Sequence, residues 1–188
     1  MDHRYCAEND NILIRPLNID DIEKLRIWRN DSSLSTFLQD VPYITPQMQC
    51  QWYEKYLQEK DILFFAVVDK SQNNMVGTVA LYGFKNKQCE VGKIVVGDTS
   101  AHGKGIGYEL LLLAMAIAVK ELSVEKMVLN VHEANIPARS VYEKVGFKVV
   151  GRHAFAKGGS ELEMEVTSQT YYKNNAMVKE IRIYKGSM

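Results

Sequence analysis

Apolar and polar residues change their spacing along the chain, and the spacing predicts the elements. Residues 12–15 alternate as a short strand, and Asn18 can cap a helix reaching about residue 30, with Ile22, Leu25 and Trp28 or Arg29 recurring at helical spacing. A second helix runs to about residue 58: Thr45 supplies a cap hydroxyl and Pro46 fits the first helical position, while Met48 at the third leaves no reciprocal capping box. Its stripe of Trp52, Tyr53, Tyr56 and Leu57 is mostly core by spacing, with one aromatic left to line a cleft. Residues 62–69, 75–82 and 89–96 read as strands, and the short polar links 71–74 and 84–88 make them antiparallel hairpins. A glycine-bearing stretch then leads into a helix over 105–122 and a strand over 126–131, a βαβ crossover. Asn135 can cap a helix that carries Pro137 in its first turn and stops at Gly146. Residues 147–152 and 178–184 read as closing strands. The order β-α-α-β-β-β-α-β-α-β-β predicts an α/β (α+β) fold on one mixed, mostly antiparallel sheet flanked by helices.

Length and composition narrow this picture. A chain of 188 residues with 46% apolar and 24% charged residues can bury one sizeable core, so residues 1–188 are expected to form a single domain. Lys plus Arg and Asp plus Glu number 23 each, so no global positive field gathers phosphate backbones, and nucleic acid is not an expected partner. Cys6, Cys50 and Cys89 are odd in number and widely spaced, which suits a reducing cytoplasm and neither a disulfide framework nor a metal site. The charged N-terminus carries no signal-peptide core. The longest apolar run, 110–119, is about half the length that crosses a bilayer, so no membrane association is expected.

The chemistry concentrates in Gly103-Lys104-Gly105-Ile106-Gly107, between a β-branched strand and an apolar helix. Glycines there admit a ligand close to backbone N–H groups, and the helix dipole favours an anion such as pyrophosphate. Neither common nucleotide loop fits. Gly97 to Gly103 encloses five residues rather than the four of a phosphate-binding loop, and Gly105 follows Lys104 where Ser or Thr is required. Tyr108 and Leu110 stand where a dinucleotide fingerprint needs its third glycine.

The stretch His102 to Gly107 instead resembles the acetyl-CoA loop Arg/Gln-x-x-Gly-x-Gly/Ala of the GNAT superfamily of N-acetyltransferases, with His102 in place of the usual Arg or Gln. Asn135-Ile136-Pro137-Ala138-Arg139-Ser140-Val141-Tyr142-Glu143-Lys144-Val145-Gly146-Phe147 is similar to the family's N-x-x-A-x-x-x-Y-x-x-x-G-F segment. The resemblance spans nearly the whole chain, least clearly over 153–175, and implies a single GNAT-type domain that transfers acetyl from acetyl-CoA to a primary amine. It implies a cofactor held by Ile94, Val95 and Val96, by His102, Gly103, Lys104, Gly105, Ile106, Gly107 and Tyr108, and by Asn135 and Ser140. Tyr142 would protonate the leaving thiolate. Glu90 is the base candidate, against the plainer reading of a solvent-facing strand glutamate; His132 and Glu133 are weaker candidates that also read as loop residues. Trp28-Arg29-Asn30 is reminiscent of members acting on nucleotide-linked amino sugars, with Trp28 and Arg29 as substrate contacts, although Trp28 fits a core position equally well. No metal is implied, since His3, His102 and His153 lack ligand spacing. The expected partner is a small-molecule amine, and a homodimer is admitted. Two alternatives stand beside it: acetylation of protein N-termini, as in the ribosomal-protein branch, and a CoA-binding regulatory module without catalysis.

Overall fold

A computed structural model describes residues 4–37, 41–156, 158–174 and 180–186. In chain order the elements are β1 (Tyr5–Glu8), β2 (Ile12–Pro16), α1 (Ile22–Asn30), α2 (Ser32–Ser35), α3 (Pro46–Tyr56), β3 (Ile62–Asp69), β4 (Asn74–Lys85), β5 (Gln88–Val96), α4 (Ile106–Glu121), β6 (Lys126–His132), α5 (Ile136–Val145), β7 (Lys148–Ala154), β8 (Ser160–Thr167), α6 (Ser168–Asn174) and β9 (Arg182–Lys185). The described strands join one sheet in the order β7-β8-β6-β5-β4-β3-β2-β1-β9, and every neighbouring pair is antiparallel except β5 with β6. The mixed sheet expected from the sequence is therefore present, wider than expected.

The predicted caps act as caps. The Asn18 side chain accepts from the Asp20 amide and forms a capping box with Asp21, opening a 3-10 turn that runs into α1. Thr45 accepts from the Met48 amide at 3.2 Å, with Pro46 at the first position of α3. In α4, Leu110, Leu111, Leu113, Met115 and Ile117 are all fully buried, each worth about 1.5–3 kcal/mol of transfer free energy. Together with α5 this helix covers one face of the sheet; α1 and α3 cover the other, over Phe64, Ala66 and Ala80.

Four elements escaped the pattern reading. The strand β8 enters between β6 and β7, so the predicted 147–152 strand is an edge and not a neighbour of β6. Its alternation Leu162, Met164, Val166 inward with Glu161, Glu163, Glu165 outward is the signal that would have found it. The predicted strand at 178–184 is described only from residue 180, residues 178 and 179 lying outside the described residues; the strand found there, β9, pairs with the unforeseen β1. The short helices α2 and α6 lack a long apolar period.

Candidate active site

Two parallel strands part at the centre of the sheet. Pairing of β5 with β6 runs through Gln88↔Lys126, Cys89↔Met127 and Glu90↔Val128 and then stops, although both strands continue. Glu90 thus occupies the vertex of a V. Cys89 and Val91 are buried beneath α4, so alternation turns Glu90 to the opposite face, where it is half-buried and accepts a 2.5 Å hydrogen bond from the Tyr82 hydroxyl. Beyond Glu90, Ala80↔Gly92 and Thr78↔Val95 leave Lys93 and Ile94 opposite Val79 alone, a bulge with Lys93 at φ 50°. Thr78 Oγ1 fastens it by donating to the Lys93 carbonyl at 2.8 Å. Because the bulge follows Glu90, it leaves the face of Glu90 fixed and puts Lys93 and Val95 on that same side.

The arm of the V continues into the glycine loop. Asp98 caps a 3-10 turn over Thr99–Ala101, and the ring of His102 reaches back to the Val96 carbonyl, Nε2 to O 2.8 Å. The His102 side chain thus acts as a latch between loop and strand. Gly105 adopts φ 81°, a conformation closed to most side chains, and opens α4. Among the described residues the amides of Gly103 and Gly105 have no hydrogen-bond acceptor, and a Cβ on Gly103, Gly105 or Gly107 would meet nothing within 4 Å. These unsatisfied donors, on an open surface at the positive end of a 16-residue helix, fit a pyrophosphate. Asn9 and Asn11 donate to the two Glu109 oxygens at 2.9 and 2.8 Å, tying the first turn of α4 to the β1–β2 hairpin.

Across the other side of the sheet lies a cavity of about 410 Å³, walled by Trp52, Phe64 and Val95 and by segment 41–44, with Arg29, Lys93 and Gln49 as polar lining. No carboxylate lines it among the described residues. The Trp-Arg-Asn triplet divides its labour here. Trp28 is a core residue, 7% exposed, packed against Gly97, so its expected substrate role is corrected: it has no access to the cavity. Arg29 enters the cavity without a hydrogen-bond or ion-pair partner among the described residues, and burial lowers its guanidinium pKa below the ordinary value. Asn30 pairs twice with Ile44, donating to its carbonyl and accepting from its amide at 2.9 Å each, so it holds the wall. Of the aromatic stripe, Trp52 lines the cavity, Tyr56 is core, and Leu57 at the helix end is exposed.

The family follows from these pieces. Residues 11–148 match the acetyltransferase (GNAT) domain family. The chain belongs to the GNAT acetyltransferases. An N-acetyltransferase 9-like protein of Caenorhabditis briggsae is 26% identical over 159 residues, covering 79% of this chain and 78% of that one. The fold is that of the spermidine N-acetyltransferase from Vibrio cholerae solved with CoA and spermine, at TM-score 0.78 and 22% identity, covering 87% of this chain and 99% of that one. It is also that of FdhC, a nucleotide-linked sugar GNAT, at TM-score 0.75 and 18% identity over 89% and 92% of the two chains. As a GNAT enzyme this protein is an acetyl-CoA-dependent N-acetyltransferase.

The remaining predicted residues are spread over β5, α4, α5 and the chain at the end of β6. Tyr142 of α5 packs into the core beneath the sheet at 8% exposure, and burial pushes its phenol up to about 12. Its hydroxyl has no hydrogen-bond partner among the described residues, yet it is not sealed from solvent. Asn135 caps α5 by accepting from the Ala138 amide at 3.3 Å, and Ser140 is exposed on that helix. Tyr108, under the Lys144 ammonium 4.5 Å from its ring, packs between α4 and α5, while Ile106 is buried and Lys104 exposed. Val95 turns its side chain into the cavity, so only its backbone is left for a cofactor. His132 is corrected as a base: its Nδ1 accepts from the Ala134 amide, its Nε2 meets the Gly158 carbonyl, and Phe37 and Phe155 flank the ring. Glu133 is paired with Arg152. Tyr82 and Lys93 were missed, although the hairpin register across 84–88 carried the signal for Tyr82, and the sequence singles out Asn30 only as part of the triplet, with no role of its own.

Proposed function

We propose that this GNAT enzyme acetylates a primary amine on a small molecule that also carries phosphate, with an amino sugar on a nucleotide carrier as the acceptor that fits first. The observation that carries the reading is Arg29: a half-buried guanidinium without a partner among the described residues, in an apolar cavity that Lys93 shares and that no described carboxylate lines. Arg holds phosphate by paired charge-assisted hydrogen bonds. A polyamine, such as the spermine bound by the Vibrio cholerae relative, would bring its cations against Arg29 and Lys93. A protein N-terminus needs an extended groove, whereas here the Asn30 clamp on Ile44 holds segment 41–44 as one wall of the cavity.

Acetyl-CoA supplies the acetyl group as a thioester. The amine, with a free pKa near ~10.4, must lose a proton before it attacks, and Glu90 at the vertex would receive it. On the opposite face Tyr142 keeps its proton through neutral pH and can deliver it to the leaving sulfur. Thiol release from acetyl-CoA, screened against polyamines, aminoglycosides, amino-sugar nucleotides and N-terminal peptides with mass spectrometry of the products, tests the reading. Turnover of amino-sugar nucleotides is expected; acetylation of polyamines alone overturns it.

A further inference from the structure

Tyr82 stands in strand β4 directly across from Glu90, and its hydroxyl donates to Glu90 Oε1 at 2.5 Å. Two features of β5 fit around it. Gly92 leaves the space the phenol occupies, for a Cβ there would lie 2.3 Å from the Tyr82 oxygen. Lys93, turned to this face by the bulge at φ 50°, holds its ammonium 5.4 Å from the centre of the Tyr82 ring. Burial and the adjoining carboxylate both raise the phenol's pKa, so it remains a donor across the working range.

We infer that Tyr82 is a positioning residue for the transfer reaction, fixing the Glu90 carboxylate at the vertex of the V through one oxygen and leaving the other to accept the amine proton. This rests on the reading of Glu90 as base. An unheld glutamate on a half-open strand samples several rotamers, and a base that wanders by an ångström loses rate. Gly92 and Lys93 then form one device with Tyr82: the glycine admits the phenol and the bulged lysine confines its ring from above. The strain of a positive φ at a lysine is a cost that such a device accounts for.

The test is a double-mutant cycle on the full chain, using acetyl-CoA and the amine turned over fastest in the four-class screen. Tyr82→Phe is expected to lower kcat roughly tenfold, the worth of one hydrogen bond to a charged group, with both KM values unchanged. In a Glu90→Gln background the same substitution is expected to change nothing. Gly92→Ala, which keeps the phenol and displaces it, is expected to reproduce the kcat loss and serves if Tyr82→Phe folds poorly. An unchanged kcat in Tyr82→Phe, or an equal loss in both backgrounds, overturns the positioning role while the base stands. If Glu90→Gln alone leaves kcat intact, the base reading fails and takes this inference with it.

Discussion

The ring of Trp28 lies so close under Gly97 that a Cβ at Gly97 would stand 2.1 Å from Trp28 Cδ2. One residue belongs to α1, and the other follows the end of β5 where the glycine loop begins. The two halves of the site therefore share a contact that tolerates no added atom. Gly97→Ala should force Trp28 or the loop to move, at about 1–3 kcal/mol for overpacking, and lower Tm by several degrees. Because the displaced backbone leads into the loop, KM for acetyl-CoA should rise as well. A melt and a saturation curve on the variant check both, and an unaltered Tm would contradict the packing argument.

The His102 latch makes a narrower claim. His102→Ala removes the donor to the Val96 carbonyl, a bond worth about 0.5–1.5 kcal/mol. Acetyl-CoA should bind roughly two- to tenfold more weakly by calorimetry, while kcat at saturation is retained, since the ring touches no reacting group. Equal affinity in the variant would show that the loop holds its shape without the latch.

The sequence carried the loop and its helix further than it carried the acceptor side. Caps, a strand and a glycine start are local, so Asn18, Thr45, Gly105 and Asn135 act as local chemistry dictates. The motif around Tyr142 likewise predicted a helix and its stop at Gly146. Trp28 and Arg29 show where locality ends: adjacent on one helix, one lies under Gly97 and the other in a cavity whose far wall comes from residues 41–44 and 93–95. No spacing rule assigns that wall. The face of Glu90 depended on whether the bulge falls before or after it, and only pairing with β4 settles that, at Lys93. His102 was legible as a departure from the motif but not as a latch, because its acceptor is a backbone carbonyl.

Arg29 predicts a separation of binding from stability. Burial lowers its guanidinium pKa with no partner among the described residues to compensate, so Arg29→Met should leave Tm unchanged or raise it. The same change removes hydrogen bonds between charged groups once a phosphate-bearing acceptor is present. KM for that acceptor should rise about 10- to 100-fold, with KM for acetyl-CoA unmoved. Loss of Tm in step with activity would mark Arg29 as structural and remove the support it gives to a phosphate subsite.

Tyr142 supplies a prediction in which chemistry and stability part along the pH axis. Tyr142→Phe should lower kcat by about 10²-fold or more, with acetyl-CoA affinity nearly unchanged, as expected for loss of a general acid. Burial disfavours the phenolate, so the folded protein holds this proton more tightly than the unfolded chain, at about 12 against 10.0. The stability linked to that difference is intact below pH 10 and is lost as pH rises from about 10 toward 12. The phenylalanine variant has no such proton, so its Tm should decline less steeply than the parent's across that window. Turnover at neutral pH and the alkaline slope of Tm thus interrogate the same hydroxyl independently. A variant with full turnover but a flattened slope would leave Tyr142 buried as found and pass the protonation of the leaving sulfur to another group.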